Sequence, residues 1–155
     1  MWCARKVGRE RCTVTFPRVP TKQRPRFDSR HHRTYTPKDT TVWEDVIADA
    51  WREQVGELWK DFDGEVRMLV LVELALAKSD PKRDAGKAML MTPDADNTMK
   101  LCGDGLEGVA YANDRQITRA YVIKLPRVPF LSFGPDDRCR IRIRCDYYRE
   151  TYQKG

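Results

Sequence analysis

The chain has 155 residues, enough for one domain with a modest core, and we expect a single domain over residues 1–155. Hydrophobic residues make up 41% and charged residues 34%, a balance typical of a soluble globular protein, and no apolar run reaches the roughly 20 residues of a membrane span. The formal net charge of +6 favours a polyanionic partner, and the five cysteines contain no Cys-x-x-Cys pair, which argues against a zinc site.

The first eleven residues are polar and basic, so we expect residues 1–11 to be a flexible lead. They lack the apolar segment of a secretory signal, which favours a cytoplasmic location. Alternation of polar and apolar residues then predicts a first strand from Arg11 to Pro17.

A proline-punctuated basic segment, residues 18–33, follows this strand. Its prolines are incompatible with a helix or a central strand and predict an extended loop. Arginine pairs bidentately with phosphate oxygens, so the segment suits contacts to DNA, although a solvated loop has the same composition. The candidate DNA-binding residues here are Arg18, Lys22, Arg24, Arg26, Arg30 and Arg33.

The clearest helix is predicted over residues 40–60, where apolar residues recur along one face and form part of the core. Residues 66–77 are rich in Val and Leu and predict a long central strand, although their composition also allows a helix. The polar loop at 78–87 adds three candidate DNA-binding residues, Lys82, Arg83 and Lys87.

Residues 93–118, which we call the acidic motif, concentrate aspartates in an otherwise basic chain. Asp94 and Asp96 precede a predicted helix that Asp96 or Asn97 would cap. A helix–turn–strand return into the strand predicted at 116–125 would bring Asp114 beside Asp94 and Asp96. Each element taken singly also fits ordinary cap or turn chemistry.

The acidic motif favours a magnesium site. Crowded carboxylates repel one another unless a hard cation neutralises them, and Mg²⁺ prefers oxygen ligands. Asp96, Lys100 and Asp104 are spaced by four residues and share a helix face. An EF-hand counted from Asp94 is excluded because Met99 and Gly105 stand where Gly and Glu are needed.

The sequence PDADNTMKLCGDGLEGVAYANDRQI resembles the central motif of the RusA family of endodeoxyribonucleases, the Holliday junction resolvases common in prophages. The resemblance implies that Asp94 and Asp96 are the paired catalytic carboxylates and Asp114 the third. It also implies that Lys100 is the catalytic lysine and that Asp104 is the helix aspartate, which either binds the metal or supports a residue that does. This chain departs from the family pattern with Asn113 in place of an aspartate, and with Gly-Asp-Gly at 103–105.

Residues 138–147 alternate strictly and predict a last strand. Cys139, Ile141, Ile143 and Cys145 occupy one face and four arginines the other. This arginine row fits either a DNA-facing surface or a solvated edge strand that resists aggregation.

The order of predicted elements implies a small α+β domain, a mixed sheet with two main helices packed on one face. The resemblance covers roughly residues 12–146 and implies a homodimer acting on branched DNA in recombination and repair. It implies Mg²⁺ as cofactor, replaceable by Mn²⁺, with no small-molecule cofactor and no membrane. Symmetric paired nicking of four-way junctions is the expected activity. The alternatives are a catalytically silent DNA-binding protein and a nuclease for flaps or other branched DNA.

Overall fold

The computed structural model describes residues 1–22, 26–35, 38–76, 85–90, 93–127 and 133–155, and for 26–28, 33–35 and 38–40 the backbone alone. In these residues no helix is both long and apolar enough to cross a membrane. The elements in chain order are β1 (Trp2–Phe16), β2 (Arg26–Asp28), β3 (Arg33–Tyr35), α1 (Lys38–Gln54), β4 (Glu65–Leu74), α2 (Ala95–Leu106), β5 (Ile117–Lys124) and β6 (Cys139–Tyr152).

The main sheet has four strands in the order β1-β6-β4-β5. β6 runs antiparallel to both of its neighbours, whereas β4 and β5 are parallel and are joined by a crossover that contains α2. β2 and β3 form a separate short hairpin that begins in the basic segment and ends just after it. The mixed sheet and its two helices confirm the predicted α+β class.

One face of the sheet forms the core. Cys139, Ile141, Ile143 and Cys145 of β6 are each at most 1% exposed, as the alternation predicts. The register places Val14 of β1 and Val72 of β4 opposite Ile141 on the same face. The core side chains of α1 are Trp43, Ile47 and Trp51, which pack into the same cluster.

α1 is shorter than the predicted helix at 40–60. The backbone N–H groups of Val55 and Gly56 both donate to Trp51 O, at 2.8 and 3.1 Å, and Gly56 takes a φ of 93° that ends the helix. Leu58 is therefore 80% exposed rather than part of the apolar stripe. Trp59 lies in the following turn and stacks on Tyr147 with ring centroids 3.9 Å apart.

The expected flexible lead is wrong, because residues 2–11 belong to β1. Cys3 pairs with Thr151 and Glu10 with Cys145. The polar composition of residues 1–11 by itself favours a disordered segment. The long partner strand β6 supplies the backbone hydrogen bonds that order this segment.

The arginine row does not lie on an edge strand, since β6 sits between β1 and β4. Arg140 and Arg142 instead reach Glu73, which is 4% exposed, at 2.7 and 2.6 Å. Arg144 Nε lies 3.6 Å from Asp146. These buried carboxylates offset part of the positive charge on the row, and contact of the row with DNA stays a prediction.

Candidate metal centre and DNA-facing residues

α2 carries most of the acidic motif, and Asp94 is its N-cap rather than Asp96 or Asn97. The Thr98 N–H donates to Asp94 O at 3.0 Å, and the Asn97 side-chain amide lies 3.4 Å from Asp94 Oδ2. Asp94 and Asp96 are both exposed at this end of the helix. Negative charge is favoured there because backbone N–H groups give a helix N-terminus partial positive charge.

The Gly-Asp-Gly departure lets α2 lie against α1. A Cβ on Gly105 would come 3.1 Å from Glu44 O and 3.3 Å from Ile47 Cβ, so a side chain there would push the two helices apart. The Gly103 carbonyl accepts a hydrogen bond from the Tyr111 hydroxyl at 2.7 Å. Both glycines lie within α2, so this departure from the family pattern does not interrupt the helix.

Asp104, Glu107 and Asp114, which we call the acidic cluster, each offer an oxygen within 4.8 Å of the others. Asp104 is in the last turn of α2, Glu107 caps the helix, and Asp114 opens a 3₁₀ turn before β5. Opposite ligands of an octahedral Mg²⁺ are about 4.2 Å apart. The three donors are hard oxygens that lie no more than 4.8 Å from one another, so the acidic cluster fits a divalent cation such as Mg²⁺.

Asp94 and Asp96 lie outside this cluster. Asp96 and Asp104 are eight residues apart on α2, which corresponds to about 12 Å along the helix. The predicted set therefore divides between the two ends of α2, with Asp104 and Asp114 together at one end. Sequence reasoning missed Glu107, although its position three residues after Asp104 was an available signal.

Lys22 joins the basic segment to the acidic cluster. Its ammonium lies 2.5 Å from Glu44 Oε1 and 2.7 Å from Asp104 Oδ2, and its side chain is only 16% exposed. Partial burial lowers the pKa of Lys22, but its hydrogen bonds to Asp104 and Glu44 outweigh burial and raise the pKa above its ordinary value. The charge of Lys22 is thus directed to two carboxylates.

Lys100 is exposed in the middle of α2. It is four residues from Asp96 and four from Asp104, so the three side chains occupy one face of the helix. A cation at this position can reach an anionic group that approaches the acidic cluster along α2.

Asn113 has a structural role in the 3₁₀ turn that positions Asp114. Its Oδ1 accepts from the Arg115 N–H at 2.9 Å, while its own N–H donates to Gln116 Oε1 at 2.7 Å. Gln116 Nε2 in turn donates to Phe62 O at 2.7 Å. Asn113, which stands in place of the family's aspartate, therefore makes the same hydrogen-bonded cap that an aspartate would make.

The other candidate DNA-binding residues are less fully described. The Arg18 guanidinium lies 5.2 Å from the ring centroid of Trp43, and Arg30 and Lys87 are exposed. Arg26 and Arg33 occupy β2 and β3, where the backbone alone is described. Arg24, Lys82 and Arg83 lie outside the described residues.

Comparison with known proteins matches residues 17–144 to the sequence model of a family described as Endodeoxyribonuclease RusA. The match takes in α1, α2 and the acidic cluster, and it confirms the resemblance found in the sequence. No curated protein matches the chain.

Proposed function

Because the chain belongs to the endodeoxyribonuclease RusA family, we propose that it is a Mg²⁺-dependent endonuclease that resolves four-way DNA junctions by paired symmetric nicks. The observation that carries the proposal is the acidic cluster, whose three carboxylate oxygens lie within 4.8 Å inside the matched region. The net charge of +6 supports a polyanionic substrate.

Asp104, Glu107 and Asp114 would hold the ion through carboxylate oxygens. Mg²⁺ bound there supplies a water of lowered pKa and stabilises negative charge on the phosphodiester. The acidic cluster is exposed, so a DNA backbone can reach it without a change in the described fold. Lys22 restrains Asp104 from one side through its ion pair at 2.7 Å.

Lys100 contacts a phosphate oxygen of the substrate in this proposal. Its ammonium is exposed on the α2 face that it shares with Asp104, and donation to a non-bridging oxygen stabilises charge that develops in the transition state. Replacement by Ala should therefore reduce the cleavage rate more than the affinity for DNA. A loss of affinity alone would make Lys100 a docking residue.

Asp94 and Asp96 require a different arrangement from the one expected. The separation of about 12 Å along α2 is too long for Asp96 and Asp104 to ligate one Mg²⁺ within one protomer, since its opposite oxygen ligands are about 4.2 Å apart. In a homodimer with antiparallel α2 helices, Asp94 and Asp96 of one protomer would lie near the acidic cluster of its partner. A two-fold dimer also matches the symmetry of a four-way junction.

Subunit mixing tests this arrangement. Asp96→Asn and Asp114→Asn subunits are each expected to be inactive alone. If sites are shared between protomers, a mixed dimer regains one intact site and nicks one strand. If each site lies within one protomer, both sites of the mixed dimer carry a substitution and no activity returns.

The function itself is tested with a labelled synthetic four-way junction and with matched duplex and flap substrates, each with and without Mg²⁺. Paired symmetric nicks on the junction, only with metal, are expected. Metal-independent binding without cleavage would favour the silent DNA-binding protein. Equal cleavage of all three substrates would keep the metal site and reject junction specificity.

A further inference from the structure

β1 and β6 extend past the four-stranded sheet as a two-stranded arm. The pairing of β6 with β4 stops at Tyr148, whereas its pairing with β1 continues to Trp2 opposite Tyr152. Residues 2–6 and 148–152, which we call the ribbon, project by roughly 17 Å at 3.4 Å per residue. Both segments lie outside the region matched to the family, residues 17–144. The family match therefore assigns the ribbon no role.

The base of the ribbon is fixed by aromatic packing. A Cβ on Gly8 would lie 2.5 Å from the ring of Trp59, so the bare backbone there lets this ring pack closely. Trp59 stacks on Tyr147 at 3.9 Å, and the Arg67 guanidinium lies 3.9 Å from the Tyr148 ring centroid. These contacts hold the base in place, so the ribbon extends from the core in a defined direction.

The ribbon and its flanking residues are strongly basic. Residues 1–9 and 147–155 contain five basic side chains, Arg5, Lys6, Arg9, Arg149 and Lys154, against one acidic side chain, Glu150. Lys6 and Arg9 pair with Asp146, at 3.4 and 2.5 Å. In the part of the chain that the structure describes, no carboxylate pairs with Arg5 or Lys154, so their charges remain available to an anionic partner.

Two aromatic rings are exposed at the tip of this basic arm. Trp2 is 66% exposed and Tyr152 is 59% exposed, and their centroids are 5.4 Å apart in an edge-to-face pair. Proteins bind single-stranded nucleic acids with two components: cations contact the phosphates, and aromatic rings stack on the bases. A two-stranded ribbon also fits the major groove, which is about 12 Å wide.

We propose that the ribbon is a DNA-binding arm whose Trp2 and Tyr152 stack on unstacked bases of branched DNA. Arg5 and Lys154 contact phosphates beside those bases. Bases in the interior of a duplex offer no free face, so the aromatic tip favours branched over linear DNA, while the cations bind both. The proposal rests on the proposed function in taking branched DNA as the substrate.

The test measures DNA affinity by fluorescence anisotropy in EDTA, where cleavage does not interfere. Tyr152→Ala is expected to weaken junction binding by about tenfold and to leave duplex binding unchanged. Tyr121→Ala is the matched control, because Tyr121 is 61% exposed on β5, and it should bind both substrates like the wild type. Trp2→Ala should behave as Tyr152→Ala does.

The charged residues are tested by the salt dependence of the affinity. Arg5→Ala with Lys154→Ala should weaken binding to junction and duplex alike and reduce the slope of log K against log salt by about two. Arg52→Ala with Lys60→Ala removes the same charge from side chains that already pair with Glu57, and should leave the slope at the wild-type value. An equal change in both pairs would overturn a specific role for the ribbon.

Folding and assembly controls complete the design. Trp2→Phe with Tyr152→Phe keeps both rings and should retain junction affinity, which separates stacking from the stability of the ribbon. Junction affinity of Tyr152→Ala equal to that of the wild type would overturn the proposal. A change of Tyr152→Ala from dimer to monomer in sedimentation would also overturn the proposal, because the ribbon would then bind a second copy of the chain. A wild-type protein that binds no junction would overturn the proposed function and the arm together, whereas unchanged ribbon variants would overturn the arm alone.

Discussion

The Lys22 ammonium lies 2.7 Å from Asp104 Oδ2 and thereby attaches the basic segment to the acidic cluster. The same ammonium contacts Glu44 on α1, so a single cation joins a loop and two helices. Lys22 is a predicted DNA-binding residue, but its charge is already directed to two carboxylates. Its effect on folding and its effect on DNA binding can be separated by experiment.

Lys22→Met keeps the length of the side chain and removes its charge. We expect a loss of about 1–2 kcal/mol of unfolding free energy, because Glu44 and Asp104 lose their shared partner. The salt dependence of DNA affinity should stay unchanged. Urea unfolding and anisotropy titrations measure the two effects, and a reduced salt slope without any loss of stability would instead place Lys22 on a phosphate.

Asp114→Asn should abolish cleavage while junction binding is retained, because a neutral amide is a poor Mg²⁺ ligand and cannot balance the charge of the ion. Glu107→Gln should reduce Mg²⁺ affinity by at least about tenfold for the same reason. Cleavage rates measured over a Mg²⁺ titration separate a loss of metal affinity from a loss of rate. Exposed Glu53 on α1 supplies the matched control Glu53→Gln, and Asp114→Asn cleaving at the wild-type rate would contradict the metal centre.

We expect Asn113 to act as the cap of the 3₁₀ turn and not to impair cleavage. Asn113→Asp can accept the same hydrogen bond from the Arg115 N–H, so we expect cleavage within about threefold of the wild-type rate. Asn113→Ala removes the cap and should cost about 1 kcal/mol of unfolding free energy. A rise of a hundredfold in cleavage by Asn113→Asp would show that the natural residue disables the enzyme.

The two glycines of α2 should respond in opposite ways to alanine. The nearest atom to a Cβ on Gly103 is 3.9 Å away, so Gly103→Ala should stabilise the protein by about 0.5–1 kcal/mol through helix propensity. At Gly105 the Glu44 carbonyl oxygen is 3.1 Å from that position, so Gly105→Ala should destabilise by about 1 kcal/mol or more. Chemical denaturation of the pair measures both effects. Equal stabilisation by both changes would mean that α1 can move away freely.

Asp146 should give the protein a stability that depends on acid pH. Burial raises the pKa of Asp146, but its hydrogen bond with Arg9 and the charges of Arg144 and Lys6 outweigh burial, and the pKa lies below its ordinary value of 3.8. A lowered pKa contributes stability that is fully present above 3.8 and is lost as the pH falls through the lower folded-state value.

Asp146→Asn should therefore cost about 2 kcal/mol near neutral pH, since the buried carboxylate no longer accepts the charge-assisted hydrogen bond from Arg9. The difference from the wild type should be constant between about pH 5 and 8 and should shrink below 3.8. Melting curves across this range measure it. Asp63→Asn removes a 79% exposed carboxylate paired with Arg149 and should change stability by less than about 0.5 kcal/mol. A constant difference down to the most acidic pH would contradict the assignment.

Features that depend on local periodicity and composition could be predicted from the sequence alone. The alternation at 139–145 identified which β6 side chains are buried, because side chains of a strand alternate between faces in any sheet. The acidic motif identified the family and the helix that carries Asp104. In each case the information lies within a few consecutive residues.

The tertiary structure was needed for every feature that depends on pairing between distant residues. It made residues 2–11 a strand by providing β6 as a partner, and it placed β6 in the middle of the sheet. It brought Glu107 beside Asp114 and separated both from Asp96, because the length of a helix and the path of the following turn fix those distances. It also directed Lys22 to Asp104 across 82 positions in the chain, a pairing that no local pattern of charges specifies.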